Sequence, residues 1–118
     1  MSKNRYQDYF NCQLRIEQIT RNSLYVLLQG IVLNLGSAEW DSESFFVGLH
    51  VRDQEGKFHI WESRSVLANP LVASKGFSSF AFKVPIAYLD ERPVEFVLDM
   101  VKEGAFWFKD IGVPALQL

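Results

Sequence analysis

The side chains of this chain that could support chemistry are two histidines, a set of carboxylates and three tryptophans. His50 and His59 fall on the two strands of a predicted hairpin, so their imidazoles could be neighbours. A metal centre would need a third ligand, and the one cysteine, Cys12, lies on a distant strand. The sequence therefore predicts no metal site and no cofactor.

Paired carboxylates are the second candidate chemistry, because two acids are enough for glycoside hydrolysis. Asp99 and Glu103 lie near the end of a predicted hairpin, and Asp110 follows them. No pattern indicates a deep cleft that would raise the pKa of either acid. Phosphate-binding glycine loops and a Gly-x-Ser-x-Gly turn are also absent from the sequence. We therefore expect no catalytic residues and a protein that is not an enzyme.

Aromatic side chains beside planar polar groups are typical of sugar-binding sites, because a sugar ring has an apolar C–H face and a rim of hydroxyls. Two patches could supply this combination. One is the outer face of the hairpin at 45–61, which also carries Phe46, and the other is the hairpin around Trp107. Trp40 follows a turn and is predicted to fill one end of the core. The predicted ligand-binding residues are Trp61, Trp107, His50, Arg52, His59 and Asp99.

The strands that must position these residues are indicated by alternation of apolar and polar side chains. Seven or so short strands separated by regular turns predict an all-β fold, an immunoglobulin-like antiparallel β-sandwich of seven to eight strands. We expect residues 1–118 to form one such domain. Residues 62–76 are predicted to be irregular, and 86–92 to form at most one helical turn. The predicted strands are 12–19, 24–34, 45–52, 57–61, 77–84, 94–101 and an edge strand within 113–118.

The hairpin from Val94 to Phe108 is predicted to turn at Glu103 and Gly104. Alternation along its second strand places Phe106 and Phe108 on one face and Trp107 on the other. Since the two phenylalanines are the more natural core pair, Trp107 is expected to face outward.

The strand at 24–34 is apolar on both faces, with Tyr25, Leu27 and Ile31 on the face opposite the core set. A two-faced apolar strand indicates either a central strand covered on both sides or one whose outer face meets a partner. This supports an alternative function, a structural or protein-interaction domain that forms a homodimer or docks to an enzyme domain and has no small ligand.

The composition limits the classes of partner that the chain is expected to bind. The formal net charge is -2 and the 12 Lys and Arg residues are scattered, so no basic footprint for nucleic acid exists. No apolar segment approaches the ~20 residues needed to span a membrane, and the polar N-terminus does not resemble a signal peptide. With a single cysteine, these features predict a cytoplasmic protein.

Several motifs occur in a recognisable order. They are Asn34-x-Gly36 with Trp40, Gly48 to Asp53 followed by Gly56, Arg64-Ser65-Val66-Leu67, Val84-Pro85, and Leu98 to Gly104 with Trp107-Phe108 and Gly112. Together they resemble the immunoglobulin-like accessory domains of bacterial polysaccharide-handling proteins, similar to the C-terminal O-antigen-binding domain of Wzt-type polysaccharide ABC exporters. The resemblance spans about Leu24 to Leu116.

That resemblance implies a non-catalytic domain that binds polysaccharide or O-antigen and accompanies glycan export or modification. A fused or neighbouring glycan-handling enzyme is the partner it implies. The chain departs from the pattern where Ala73 to Gly76 replaces a Pro-Gly turn, and where Phe96 replaces a tyrosine, so that no tyrosine-corner hydrogen bond can form there.

Overall fold

The computed structural model describes residues 5–53, 59–89 and 94–118. These residues form one short helix and ten strands, with single 3₁₀ turns at Ile86–Tyr88 and Phe108–Ile111. The helix, α1, is Arg5–Tyr9. The strands are β1 Cys12–Arg21, β2 Tyr25–Asn34, β3 Trp40–Asp41, β4 Phe45–Asp53, β5 His59–Val66, β6 Leu71–Val72, β7 Phe77–Pro85, β8 Val94–Lys102, β9 Phe106–Trp107 and β10 Leu116–Gln117.

Two antiparallel sheets dominate the fold. One has the order β1-β2-β7, and the other has the order β10-β8-β4-β5 with β9 also paired to β8. β3 and β6 form a third, two-stranded sheet. The strand orders of the two large sheets correspond to an immunoglobulin-like Greek key in which the strand after β4 joins the sheet of β4. The predicted all-β sandwich is confirmed.

The core lies between the inner faces of the two large sheets. Alternate residues of β2 and β4 are fully buried there, among them Leu28 and Leu49. Trp40 closes one end, with no exposed surface and its ring stacked 6.1 Å from that of Phe45. The prediction that Trp40 fills the end of the core is confirmed.

The segment 62–76 differs from the prediction, because it is not irregular throughout. β5 continues to Val66, and β6 occupies Leu71–Val72. The inner positions Ser63 and Ser65 are polar, so this strand shows no hydrophobic alternation, and its pairing with β4 imposes the extended conformation. The helical turn expected in 86–92 is present at 86–88, and residues 90–93 lie outside the described part of the chain.

The motif at Asn34 and Gly36 owes its residues to close contacts rather than to positive φ angles, which neither residue has. The side-chain amide of Asn34 donates to the carbonyls of Ala38 at 2.8 Å and Val72 at 3.2 Å. A Cβ at Gly36 would lie 2.1 Å from the carbonyl oxygen of Tyr9. Glycine is therefore required here because the chain after α1 passes directly against it.

The predicted turn at Glu103 and Gly104 is confirmed. The N–H of Ala105 donates to the carbonyl of Lys102 at 3.0 Å, and Gly104 has a φ of 75°. A positive φ at the third position defines a type II turn, for which glycine is favoured. In the described part of the chain, no helix has the length and apolar character needed to cross a membrane.

Candidate functional site

β4 and β8 are neighbours, and their pairing brings His50 of the first predicted patch onto the same face as Asp99 of the second. Gly48 lies opposite Asp99, and His50 lies opposite Val97, all on the face directed away from the core. β9 adds Trp107 to the same face at the edge of β8. We call this surface the outer-sheet site, which comprises Gly48, His50, Glu62, Arg64, Asp99, Glu103 and Trp107.

Trp107 lies across the sheet on Gly48. Its own strand is separated from β4 by β8, so the indole must cross β8 to make this contact. A Cβ at Gly48 would stand only 2.4 Å from Cζ3 and 2.6 Å from Cη2 of the indole. The indole therefore occupies the space that a side chain at position 48 would fill. Phe108 is fully buried and Phe106 packs against the core, so the predicted orientation of the three aromatics is confirmed.

Arg64, on β5, stacks on the indole of Trp107. Its guanidinium carbon lies over the ring, 4.5 Å from the centroid. Its Nε–H donates to Glu103 Oε1 at 2.6 Å, and an Nη1–H donates to Glu62 Oε1 at 2.9 Å. Partial burial lowers the pKa of Arg64, but the two hydrogen bonds outweigh this effect and raise it. The result is a planar cation stacked on an aromatic ring between two carboxylates.

His50 packs on another side of the same indole. The two ring centroids are 4.7 Å apart, and the His50 side chain is almost completely buried. Its Nδ1 lies 3.5 Å from Glu62 Oε1. His50 therefore supports Trp107 and Glu62 from below and offers little surface to a ligand.

Asp99 forms the floor of the outer-sheet site. It is 1% exposed, and its Oδ2 accepts a hydrogen bond from the backbone N–H of Lys109 at 3.1 Å. Its Oδ1 has no hydrogen-bond partner among the described residues. Burial raises the pKa of Asp99 to about 6, against the lowering effect of the backbone N–H groups of Lys109 and Met100. Asp99 is thus beside Trp107 as expected, but beneath the surface.

Trp61 does not lie on the outer face, and this part of the prediction is corrected. A bulge in β5 pairs Trp61 with Val51 and His59 with Arg52, so one extra residue separates the two pairs. Because a bulge reverses the alternation, Trp61 lies on the core side, where it packs against the core cluster. Arg52 lies on the outer face opposite Glu95. The prediction for the His59 side chain lies outside the described residues.

Four members of the outer-sheet site are absent from the predicted ligand set: Gly48, Glu62, Arg64 and Glu103. Glu62 and Arg64 belong to the segment predicted to be irregular, and Glu103 was considered as a turn residue and as a catalytic carboxylate but not as a ligand-binding residue. Gly48 offered a usable signal, since a glycine inside a strand marks the close approach of another group.

Among the described residues, no three His, Cys, Asp or Glu side chains are grouped so that they could hold a metal ion. No protein-family model matches the chain, and no curated protein matches its sequence.

Proposed function

We propose that this chain is a non-catalytic carbohydrate-binding domain that takes polysaccharide or O-antigen glycan at the outer-sheet site. The observation that supports it is the stack of Arg64 on Trp107, flanked by the carboxylates of Glu62 and Glu103. An aromatic ring with planar hydrogen-bonding groups around it is the combination that a sugar ring requires.

The chemistry of binding follows from what each group exposes. Glu62 and Glu103 have 41% and 44% of their side chains exposed, so solvent-facing lone pairs of these carboxylates can accept hydrogen bonds from sugar hydroxyls. Arg64 retains N–H groups that can donate to ring and hydroxyl oxygens. Trp107 is half-buried, and only the part of its indole that Arg64, His50 and Gly48 leave uncovered supplies apolar surface for the C–H groups of the sugar. Since the site is a sheet face with few anchors, we expect affinities in the millimolar to micromolar range, roughly -4 to -8 kcal/mol.

The wider role is proposed from the resemblance of the ordered motifs to polysaccharide-handling accessory domains. In that role the domain is cytoplasmic and holds a glycan for a fused or neighbouring export or modification enzyme.

Substitution of the stacked pair tests this function. Arg64→Ala and Trp107→Ala should each weaken binding to a polysaccharide panel about tenfold or more, measured by affinity electrophoresis. Phe77→Ala is the matched control, because Phe77 is a 58% exposed aromatic on the other large sheet and should leave binding unchanged. Thermal unfolding confirms that each variant is folded. The proposal fails if the wild type binds no glycan, or if a folded Arg64→Ala variant binds as well as the wild type.

A second candidate function, self-association, is favoured by the outer face of the β1-β2-β7 sheet. Tyr25, Leu27 and Ile31 are only half-buried there, and Leu33 lies opposite the exposed Phe77. The occupant would be a second copy of the chain, held through this apolar stripe as a homodimer. Sedimentation equilibrium at high protein concentration tests this candidate, which fails if the chain remains a monomer.

A further inference from the structure

The charges of the outer-sheet site are arranged so that the cation stacked on Trp107 is neutralised within the protein. Arg64 donates two hydrogen bonds at 2.6 and 2.9 Å to two different carboxylates, those of Glu103 and Glu62. One positive charge between two negative charges leaves this triad with a net charge of -1. A ligand that meets the guanidinium therefore also meets two carboxylates.

Among residues 5–53, 59–89 and 94–118, the other charged groups near the site do not reverse this balance. Asp99, opposite Gly48 on β8, adds a further carboxylate that is almost completely buried. Arg52 lies on the same face but opposite Glu95, and so has an acidic neighbour of its own. The ammonium of Lys102 lies 5.5 and 5.8 Å from the rings of Phe10 and Phe45, on the other side of the sheet. Lys109 and Asp110 follow one another and carry opposite charges.

We propose that the outer-sheet site selects uncharged, hydroxyl-rich glycans and rejects glycans that carry carboxylate, phosphate or sulfate groups. This inference rests on the proposed carbohydrate-binding function and names its substrate class. Sugar hydroxyls can donate to the exposed carboxylate oxygens, whereas an anionic group would be placed beside them. Like charges facing one another across an interface are a recurrent means of rejecting the wrong partner.

The test uses acidic polysaccharides and their carboxyl-reduced, neutral counterparts, in which a primary alcohol replaces each carboxylate and the rest of the chain is unchanged. The wild type should bind the neutral member of a pair about tenfold more tightly at low salt, and added salt should narrow the difference. The double variant Glu62→Gln, Glu103→Gln removes the two negative charges beside Arg64 and keeps the size of both side chains. Its preference should shift by about tenfold or more toward the acidic member.

Glu39→Gln, Glu43→Gln is the matched control, since it makes the same change of net charge at two exposed residues outside the site and should not alter the preference. Tighter binding of the acidic member by the wild type overturns the inference and leaves the proposed function in place. An unchanged preference in the folded Glu62→Gln, Glu103→Gln variant also overturns it. Wild-type protein that binds neither member of any pair overturns both the inference and the proposed function.

Discussion

The carboxyl of Asp99 is buried in the folded protein, whereas in the unfolded chain it is exposed to water. Burial under the outer-sheet site raises the pKa of its carboxyl from 3.8 to about 6. The folded protein therefore holds this proton more tightly than the unfolded chain does. Between about pH 4 and pH 6 the native state binds more protons, so the free energy of unfolding must fall as the pH rises through this window.

We predict that Asp99→Asn removes this part of the pH dependence. The ionised carboxylate lowers the free energy of unfolding by roughly 2 kcal/mol above pH 6, and the neutral amide cannot ionise. Urea unfolding at pH 4.5 and pH 7.5 measures the effect for the wild type, the variant and an Asp110→Asn control. An identical difference between the two pH values in the wild type and in Asp99→Asn would refute this assignment.

At the scale of the element, the edge of β7 is covered by side chains instead of by a paired strand. Ser78 Oγ accepts from the backbone N–H of Ala68 at 2.9 Å and lies 3.4 Å from that of Asn69. Asn69 Nδ2 donates to the carbonyl of Phe77 at 3.0 Å, and the N–H of Ala81 donates to Ser65 Oγ at 3.4 Å. These hydrogen bonds join the end of β5 and the β5–β6 connection to the β1-β2-β7 sheet.

Ser78 and Ser79 allow this arrangement to be tested with adjacent residues of the same type. The hydroxyl of the buried Ser78 accepts a part-buried hydrogen bond from the N–H of Ala68, so Ser78→Ala removes this bond and should lower the free energy of unfolding by about 0.5–1.5 kcal/mol. The side chain of Ser79 is exposed, and Ser79→Ala should change stability by less than about 0.5 kcal/mol. Chemical denaturation measures both. Equal effects would show that the Ser78 hydroxyl does not hold this edge.

The sequence predicts a strand well when one face of that strand is buried in the core, because burial produces the alternation of apolar and polar residues. β2 and β8 face a core, so alternation located them and oriented Phe106 to Phe108 correctly. β5 places serines on its inner face, and its strand conformation comes from pairing with β4. The predicted orientation of Trp61 was wrong because a bulge, which has no local hydrophobic signal, shifts the alternation by one residue.

The candidate site was predictable in part for a related reason. Trp107, His50 and Asp99 were identified from residue type and strand parity. The pairing of β4 with β8 joins segments about 50 residues apart, and the hydrogen bond from Arg64 to Glu103 joins residues 39 positions apart. Such contacts follow from tertiary register, which local patterns do not specify.

At the scale of the whole molecule, the outer-sheet site and the apolar stripe of β2 lie on the outer faces of opposite sheets. A substitution on one face should therefore leave the function of the other unchanged. We predict that Ile31→Lys abolishes self-association, because it places a charge in the stripe beside Arg15, and that it changes glycan affinity by less than about twofold. Sedimentation and glycan binding measured on the same preparation check this. Joint loss of both functions in a folded variant would contradict their separation.

The central claim, that glycan binds at Trp107, is tested most directly by the three indole N–H resonances in a ¹H–¹⁵N spectrum during titration with a bound polysaccharide. Trp107 lies in the outer-sheet site, Trp61 packs on the core side, and Trp40 is fully buried. We predict that the Trp107 resonance shifts and saturates with ligand while those of Trp40 and Trp61 remain in place. Saturable binding that leaves the Trp107 resonance unmoved would contradict the account.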